Sequence, residues 1–409
     1  MQSQRALLPC LRTITFFLVA TFFSGSAKAE KVIYGFTGSA DGYSPEAPLI
    51  LDKAGNLYGT TALGGANNFG TVFTLNRTGT NWTKTTLYSF TGGSDGANPY
   101  AGLVVDGAGN LYGTVDSEGE FGCGAVFELA RSADGWTELT LYAFKGQSGF
   151  DDGCNPHSGL VIDSTGDLFG ATGTGGVYNS GTVFELTPSL GGWSETQLWA
   201  FNGTDGANPL GGVVFDNVGN IYGTTYSGGL FGGGTVFRLT PLTGGGWAES
   251  TIFSFTGGNN GCQPYAGVVF DTTGSLYGTT QRCGADVVGT VFKLTPTVGQ
   301  WKMSMIHTFT GGSDGAYPWA GVIFDKGGNL WGTTFYGGLF GNGTVFRLSP
   351  PSGNGKWTET EYSFMGADDG AWPLAGVVFG NSTVGTLAFG TTTSGGPNNE
   401  GVVFQISAK

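Results

Sequence analysis

The sequence predicts an all-β fold, a seven-bladed β-propeller built from four-stranded blades. Three observations lead to this prediction. One motif recurs seven times at a period close to 55 residues, each repeat holds four apolar runs too short for helices, and the two ends of the chain carry complementary parts of one repeat. The period lies near those of propeller blades and above those of leucine-rich and helical solenoid repeats. A closed ring of blades accounts for all three observations.

The repeat is clearest at residues 219–239, GNIYGTTYSGGLFGGGTVFRL. Its apolar runs, 220–225 and 235–239, are bracketed by glycines and rich in β-branched and aromatic residues, which predicts two strands joined by a loop. The aromatic residue of the LYGT element recurs seven times, and the first and last copies are 331 residues apart over six intervals. Its positions are Tyr58, Tyr112, Phe169, Tyr222, Tyr277, Trp331 and Phe389. The phenylalanine of the GTVF element keeps the same spacing, at Phe73, Phe127, Phe184, Phe237, Phe292, Phe346 and Phe404.

Two further runs complete each unit, PLGGVVFD at 209–216 before the motif and WAESTIFSF at 247–255 after it. The first two strands are separated by a tight hairpin in which we expect Gly219 to adopt a positive φ and Asp216 to accept backbone N–H groups. This aspartate recurs in six units, and Gly380 replaces it in the seventh. Its positions are Asp52, Asp106, Asp163, Asp216, Asp271 and Asp325.

The chain ends predict ring closure. Residues 30–36 match the fourth strand of a unit, whereas the chain stops after the third strand of the seventh unit, at 401–406. An N-terminal strand that completes the last blade leaves no open sheet edge at the junction. An open solenoid would need capping units, and a right-handed β-helix, the alternative fold, has shorter coils and no reason to split a unit.

Residues 1–29 have the pattern of a secretory signal peptide. Arg5 and Arg12 precede an apolar run at 14–23, and Ala27-Lys28-Ala29 offers a cleavage site. A membrane anchor is the alternative, but a span needs about 20 apolar residues. We predict cleavage after Ala29, a single propeller domain at 30–409, and a secreted, extracellular or periplasmic location.

The charge balance argues against nucleic acid as a partner. The chain has 17 basic and 30 acidic side chains, and loss of Arg5, Arg12 and Lys28 leaves 14 basic ones, a net charge of −16. Phosphate binding needs clustered Lys and Arg. No second stretch of spanning length follows, so we expect no membrane span in the mature chain. We also expect a monomer.

The LYGTT, GG and GTVF elements, at these spacings over residues 32–406, resemble the tandem repeat of exported bacterial proteins called GloVer. The hairpin Asp-x-x-Gly-Asn-Leu-Tyr is also similar to that of NHL and related propellers, which implies that the GVVFD strand lies next to the central axis. The resemblance implies export and a repeat fold, and it carries no known activity or site residues. GloVer proteins carry varied surface anchors, whereas we expect no C-terminal anchor in this protein.

A repeated loop, Asp-Gly-x-x-Pro, enters each inner strand. Its first residues are Asp41, Asp95, Asp152, Asp205, Asn260, Asp314 and Asp369. A ring of carboxylates that binds Ca²⁺ is one interpretation. A turn in which Asp accepts backbone N–H groups is the other, and near-identical copies favour it because sites usually break symmetry. We therefore expect no cofactor, with Ca²⁺ as the alternative.

Residues that break the repeat are the better site candidates. Around the loop prolines they are Glu46, Tyr100, His157, Tyr265, Tyr317, Trp319 and Trp372. We expect them at the mouth of the central channel, where aromatic rings can stack on a carbohydrate or peptide. Packing at the top of the tunnel is the alternative interpretation.

Unit two carries three acids, Asp116, Glu118 and Glu120, in the loop between its second and third strands. With Asp151 and Asp152 they could supply the two carboxyls of a glycosidase, bind Ca²⁺, or face solvent. Unit five also departs from the pattern, at Arg282 and Asp286.

Neither histidine belongs to a recognisable catalytic motif. His307 replaces a Tyr of an outer strand, a packing position, and His157 has no adjacent nucleophile motif. We predict no His-rich metal site.

Four cysteines follow the signal peptide, Cys123, Cys154, Cys262 and Cys283, and three pairings are open to them. They fall in two clusters of the proposed loop face, which favours local disulfides, Cys123 with Cys154 and Cys262 with Cys283. Their spacing does not match zinc motifs.

Two functions remain open. The first is a non-enzymatic propeller that binds a glycan or an extracellular protein through its loop face. The second is a glycan-active hydrolase or lyase that uses Asp116, Glu118 and Asp152. An acidic scaffold stabilised by Ca²⁺ is a third hypothesis.

Overall fold

The computed structural model describes residues 29–146, 152–353, 355–380 and 386–408. Within them, 28 strands form seven four-stranded antiparallel sheets arranged as the blades of a ring. The predicted seven-bladed propeller is confirmed. The predicted signal peptide, apart from Ala29, and Asp151 lie outside the described residues.

The strands fall into four sets of seven, from the axis outward. The innermost are Ile50–Leu51 (β2), Val104–Val105 (β6), Val161–Ile162 (β10), Val214–Phe215 (β14), Val269–Phe270 (β18), Ile323–Phe324 (β22) and Val378–Gly380 (β26). The second are Leu57–Thr61 (β3), Leu111–Val115 (β7), Leu168–Thr172 (β11), Ile221–Thr225 (β15), Leu276–Thr280 (β19), Leu330–Thr334 (β23) and Thr386–Thr392 (β27).

The third are Thr71–Thr78 (β4), Ala125–Ser132 (β8), Thr182–Ser189 (β12), Thr235–Pro241 (β16), Thr290–Thr297 (β20), Thr344–Ser349 (β24) and Val402–Ala408 (β28). The outermost are Asn81–Ser89 (β5), Gly135–Ala143 (β9), Gly192–Ala200 (β13), Trp247–Ser254 (β17), Gln300–Thr308 (β21), Thr358–Ser363 (β25) and Ala29–Gly35 (β1). Two short 3-10 helices, Ser39–Asp41 and Gly258–Asn260, lie in loops.

The ring closes through the two ends of the chain, as predicted. Strand β1 pairs with β28 in antiparallel register, from Ala29 opposite Ser407 to Gly35 opposite Val402. The seventh blade therefore has the order β1-β28-β27-β26. Across the same junction, the Thr391 hydroxyl donates to the Ala47 carbonyl at 3.3 Å.

Aromatic pairs hold neighbouring blades together. The phenylalanine after each outermost strand packs edge-on against the GTVF phenylalanine of the next blade, as Phe90 does on Phe127 at 5.1 Å. Both rings are fully buried. A Cβ added at Gly113, the glycine of LYGT, would lie 2.6 Å from Phe127 Cζ. The motif therefore needs glycine because the Phe127 ring, on the adjacent strand of the same blade, occupies the space of a side chain.

The inner strands are shorter than the sequence predicts. Of the run 209–216, only Val214–Phe215 pairs with β15. The segments before these pairs converge on the axis, where the backbone of Gly267 leaves no room for a Cβ on Gly211.

The predicted hairpin chemistry is confirmed. Gly219 has a φ of 91°, and the Asp216 carboxylate accepts the N–H groups of Val218 and Asn220. None of the described residues belongs to a helix long and apolar enough to cross a membrane.

Candidate functional site

Two sets of loops share one face of the ring, which we call the loop face. In each blade, the loop that enters the inner strand forms a β-bridge with the loop after the second strand, as Ala97 does with Ser117. The residue before the loop proline has a positive φ, and its N–H donates to the preceding blade, as from Asn98 to the Phe69 carbonyl. Adjacent blades thus fix the position of each entry loop.

A cavity of about 350 Å³ lies on the axis beneath this face. Each blade contributes the residue that follows its loop proline, and all seven side chains are half-buried. They are Glu46, Tyr100, His157, Leu210, Tyr265, Trp319 and Leu374. The small residues of the converging inner segments, such as Gly212 and Ala266, also line this cavity.

Three polar side chains of the cavity region form a chain of hydrogen bonds. The His157 ring lies with Nδ1 3.1 Å from Asp116 Oδ1 and with Nε2 2.7 Å from the Tyr265 hydroxyl. Since a carboxylate only accepts, Nδ1 carries the proton in neutral histidine and Nε2 accepts from Tyr265. This arrangement fixes the orientation of both rings.

Aromatic rings flank these hydrogen-bonded side chains. Tyr100 lies 5.0 Å from the His157 ring, and Trp319 lies 4.7 Å from Tyr265. Among the described residues, the Tyr100 hydroxyl and the Trp319 indole N–H have no hydrogen-bond partner. The cavity thus offers ring faces together with free polar groups.

Glu46 adds a carboxyl to the cavity. Burial raises the pKa of Glu46, while the Ser44 hydroxyl and, when it is protonated, the His157 ring oppose the increase. Ser44 donates to one carboxylate oxygen at 2.9 Å. Burial, followed by the charges of Glu46 and Asp116, raises the pKa values of Tyr100 and Tyr265, so both remain neutral phenols.

Tyr317 and Trp372 do not line the cavity. They precede their loop prolines, with φ values of 55° and 59°, and donate backbone N–H groups to the preceding blade. Their rings lie 6.1 and 6.2 Å from Tyr336, on the exposed part of the loop face. Aromatic residues rarely adopt this left-handed conformation, which three other blades give to Asn.

The acids of units two and three do not share one cleft. Asp116 binds His157, whereas Glu118 and Glu120 are exposed to solvent. Asp152 is buried and accepts the Tyr142 hydroxyl and the Gly146 N–H.

Arg282 and Asp286 in unit five are also exposed. The Arg282 guanidinium lies over the Tyr317 ring at 5.8 Å. Arg282 therefore belongs to the exposed loop face and not to the cavity.

The aspartates of the Asp-Gly-x-x-Pro loops act as turn acceptors. Asp95, for example, binds the Thr91 N–H at 2.8 Å and the Tyr88 hydroxyl at 2.9 Å. The same type of backbone contact occurs at Asp41 and Asp369. These carboxylates lie between an outermost strand and the following loop and do not line the axial cavity.

Both predicted disulfides are present. Cys123 pairs with Cys154 and joins the loop face of the second blade to the third. Cys262 pairs with Cys283 within the fifth blade. Gln263 follows Cys262 directly, and His157 lies three residues after Cys154 in its entry loop.

Comparison with known proteins agrees with the fold. The profile of the Gloeobacter/Verrucomicrobia repeat matches residues 19–217, 140–318 and 288–409. The chain belongs to this repeat family. A search of curated proteins finds no match for this member of the Gloeobacter/Verrucomicrobia repeat family. A solved structure, a proposed 6-phosphogluconolactonase from Bacteroides uniformis, is similar with a TM-score of 0.50 at 14% identity, covering 80% of this chain and 88% of that one. At this identity the likeness concerns the fold alone.

Sequence reasoning missed the apolar part of the cavity in this member of the repeat family. Leu210 and Leu374 occupy the same repeat position as Glu46 and Trp319 but do not look like ligand-binding residues. Aligning the residue after each loop proline would have found all seven.

Proposed function

We propose that the axial cavity binds a saccharide, such as the terminal unit of a glycan. The observation that supports this proposal is the convergence of Tyr100, His157, Tyr265 and Trp319 with Glu46 in a cavity of about 350 Å³. This volume is within the range of small-ligand pockets, which combine apolar walls with a few placed polar groups.

The chemistry of the cavity suits a sugar. Sugar rings present C–H faces that pack on aromatic side chains, and their hydroxyls bond carboxylates and imidazoles. The hydrogen bonds from His157 to Asp116 and from Tyr265 to His157 hold these groups in place before a ligand arrives. Preorganised groups lose less entropy on binding.

The proposal is tested by a glycan array followed by calorimetry on the best ligand, with Trp319→Ala as the variant. Loss of one stacking ring should weaken binding about tenfold, equivalent to about 1.4 kcal/mol. Tyr178→Ala is the matched control, because Tyr178 is an exposed aromatic at a loop tip of the third blade. Absence of glycan binding, or equal binding by the Trp319→Ala variant, would reject the proposal.

One observation favours a second function, hydrolysis of the bound saccharide. Glu46 has a half-buried carboxyl whose pKa is raised, and a raised pKa is typical of a general acid. Product release from the bound glycan by the wild type, and its loss in Glu46→Gln with binding retained, would support this function. Binding without release would leave a binding module.

A further inference from the structure

A second cluster of polar side chains lies far out in the ring, between the fifth and sixth blades. His307 is on β21, Asp314 is in the loop that enters the sixth blade, and Glu359 is on β25. His307 Nε2 lies 3.6 Å from Asp314 Oδ2 and 3.5 Å from Glu359 Oε2. One ligand atom from each residue lies within 4.8 Å of the other two.

Other blade junctions show what is different here. A tyrosine occupies the position of His307 in four of them and donates its hydroxyl to the aspartate of the following loop. These pairs are Tyr34 with Asp41, Tyr88 with Asp95, Tyr142 with Asp152 and Tyr362 with Asp369, at 2.6–2.9 Å. At the junction between the third and fourth blades, Trp199 donates to Asp205 at 3.1 Å in the same way.

His307 makes no such bond. Its Nε2 atom is buried and has no hydrogen-bond partner in the part of the chain that the structure describes. A buried polar atom without a partner costs free energy, so its place in a native fold needs an explanation. A carboxylate on each side and a nitrogen lone pair between them form a typical donor set for a metal ion.

We propose that His307, Asp314 and Glu359 bind a divalent transition-metal ion of the Zn²⁺ type. Zn²⁺ binds imidazole nitrogen and carboxylate oxygen at about 2.1 Å, so two ligand atoms of a tetrahedral site lie about 3.4 Å apart. The distances of 3.5 and 3.6 Å around His307 Nε2 are close to this separation. A water molecule would be the fourth ligand.

The surroundings hold the ligands in position. The Thr310 N–H donates to Asp314 Oδ2 at 2.8 Å, and the Thr310 hydroxyl donates to Oδ1 at 2.6 Å. The His307 ring packs edge-on against the buried Phe309, at 4.7 Å. Such outer contacts orient metal ligands and raise affinity.

The site joins strands of two blades, so metal binding would stabilise the contact between the fifth and sixth blades. A ligand that binds only the folded state raises thermal stability with concentration. The proposal does not depend on the axial cavity.

The test uses the full chain, stripped with a chelator and titrated with ZnCl₂ by calorimetry, with melting temperature as a second readout. We expect saturable binding that loses one equivalent per chain in His307→Tyr, together with a melting temperature that no longer rises with Zn²⁺. Tyrosine occupies this position in four other blades, so this variant should fold.

Two further variants complete the experiment. Glu359→Gln should weaken Zn²⁺ binding at least tenfold. Glu249→Gln, which changes the matching strand position of the fourth blade, should bind Zn²⁺ as the wild type does. Absence of saturable uptake by the wild type, or an unchanged stoichiometry in His307→Tyr, would overturn the proposal.

Discussion

The Tyr265 hydroxyl lies 2.7 Å from His157 Nε2, although the two residues are 108 positions apart in the sequence. Tyr265 belongs to the fifth blade and His157 to the third, and Leu210 of the fourth blade lines the same cavity. It couples blades that are not neighbours in the ring. The orientation of the cavity rings therefore depends on both residues together.

The first prediction concerns this bond. Tyr265→Phe should lower the free energy of unfolding by about 1 kcal/mol, and His157→Leu by about 2 kcal/mol, because the second change also removes the donor to Asp116. Since both variants break the same bond, the double variant should cost less than the sum of the two. Urea denaturation of the four proteins measures this coupling, and strictly additive losses would contradict it.

The second prediction concerns ring closure. Phe36 follows the N-terminal strand and packs on Phe73 at 5.3 Å, just as the internal Phe90 packs on Phe127. All four rings are fully buried. Phe36→Ala and Phe90→Ala should therefore each cost about 3–5 kcal/mol in unfolding free energy. A small loss for Phe36→Ala beside a large one for Phe90→Ala would show that the terminal strand is dispensable.

The third prediction concerns the glycine of the LYGT element. Gly113→Ala places a methyl group 2.6 Å from Phe127 Cζ, which should destabilise the protein by about 1–3 kcal/mol through overpacking. Gly107→Ala in the same blade is the control, because a Cβ there meets nothing within 4 Å and the backbone needs no positive φ. Equal melting temperatures of the two variants would refute this explanation of the motif.

The sequence predicts the architecture well because the repeat is itself the structural unit. The period, the four runs and the split seventh unit determine blade number, strand order and closure, and the two cysteine clusters indicate the disulfides. The axial cavity is harder to predict. Tyr317 and Trp319 are two positions apart, yet only Trp319 reaches the cavity, since the residue before the proline is held against the preceding blade.

Contacts between blades are the hardest feature to predict from the sequence. Asp116, Glu118 and Asp152 look like one acidic group, but Asp116 binds His157, Glu118 is in solvent and Asp152 caps a turn. The number of residues between two side chains in the sequence does not give the angle between their blades about the axis of the propeller. The bond between His157 and Tyr265 depends on that angle.

The last prediction concerns the dependence of stability on pH. Glu195 and Glu249 lie at blade junctions, where burial raises the pKa of each carboxyl to about 7. The charge of Asp152 adds to the increase at Glu195 and is opposed by Lys145, and the charge of Asp205 adds to it at Glu249. Folded protein therefore binds protons at these sites more tightly than the unfolded chain does.

The sign of the effect follows from this difference. A carboxyl whose pKa is raised on folding contributes stability below its unfolded pKa of about 4.5, and this contribution is lost as pH rises through about 7. The hairpin aspartates, whose pKa values are lowered from 3.8 by hydrogen bonds that outweigh burial, act only at lower pH. Urea denaturation midpoints should therefore fall between pH 5 and about 7.5, by less than the roughly 1.4 kcal/mol per pKa unit of a fully buried group, since solvent screens these carboxyls. Glu195→Gln with Glu249→Gln should flatten this dependence, whereas Glu118→Gln, an exposed control, should leave it intact; an unchanged slope in the double variant would assign the effect to other groups.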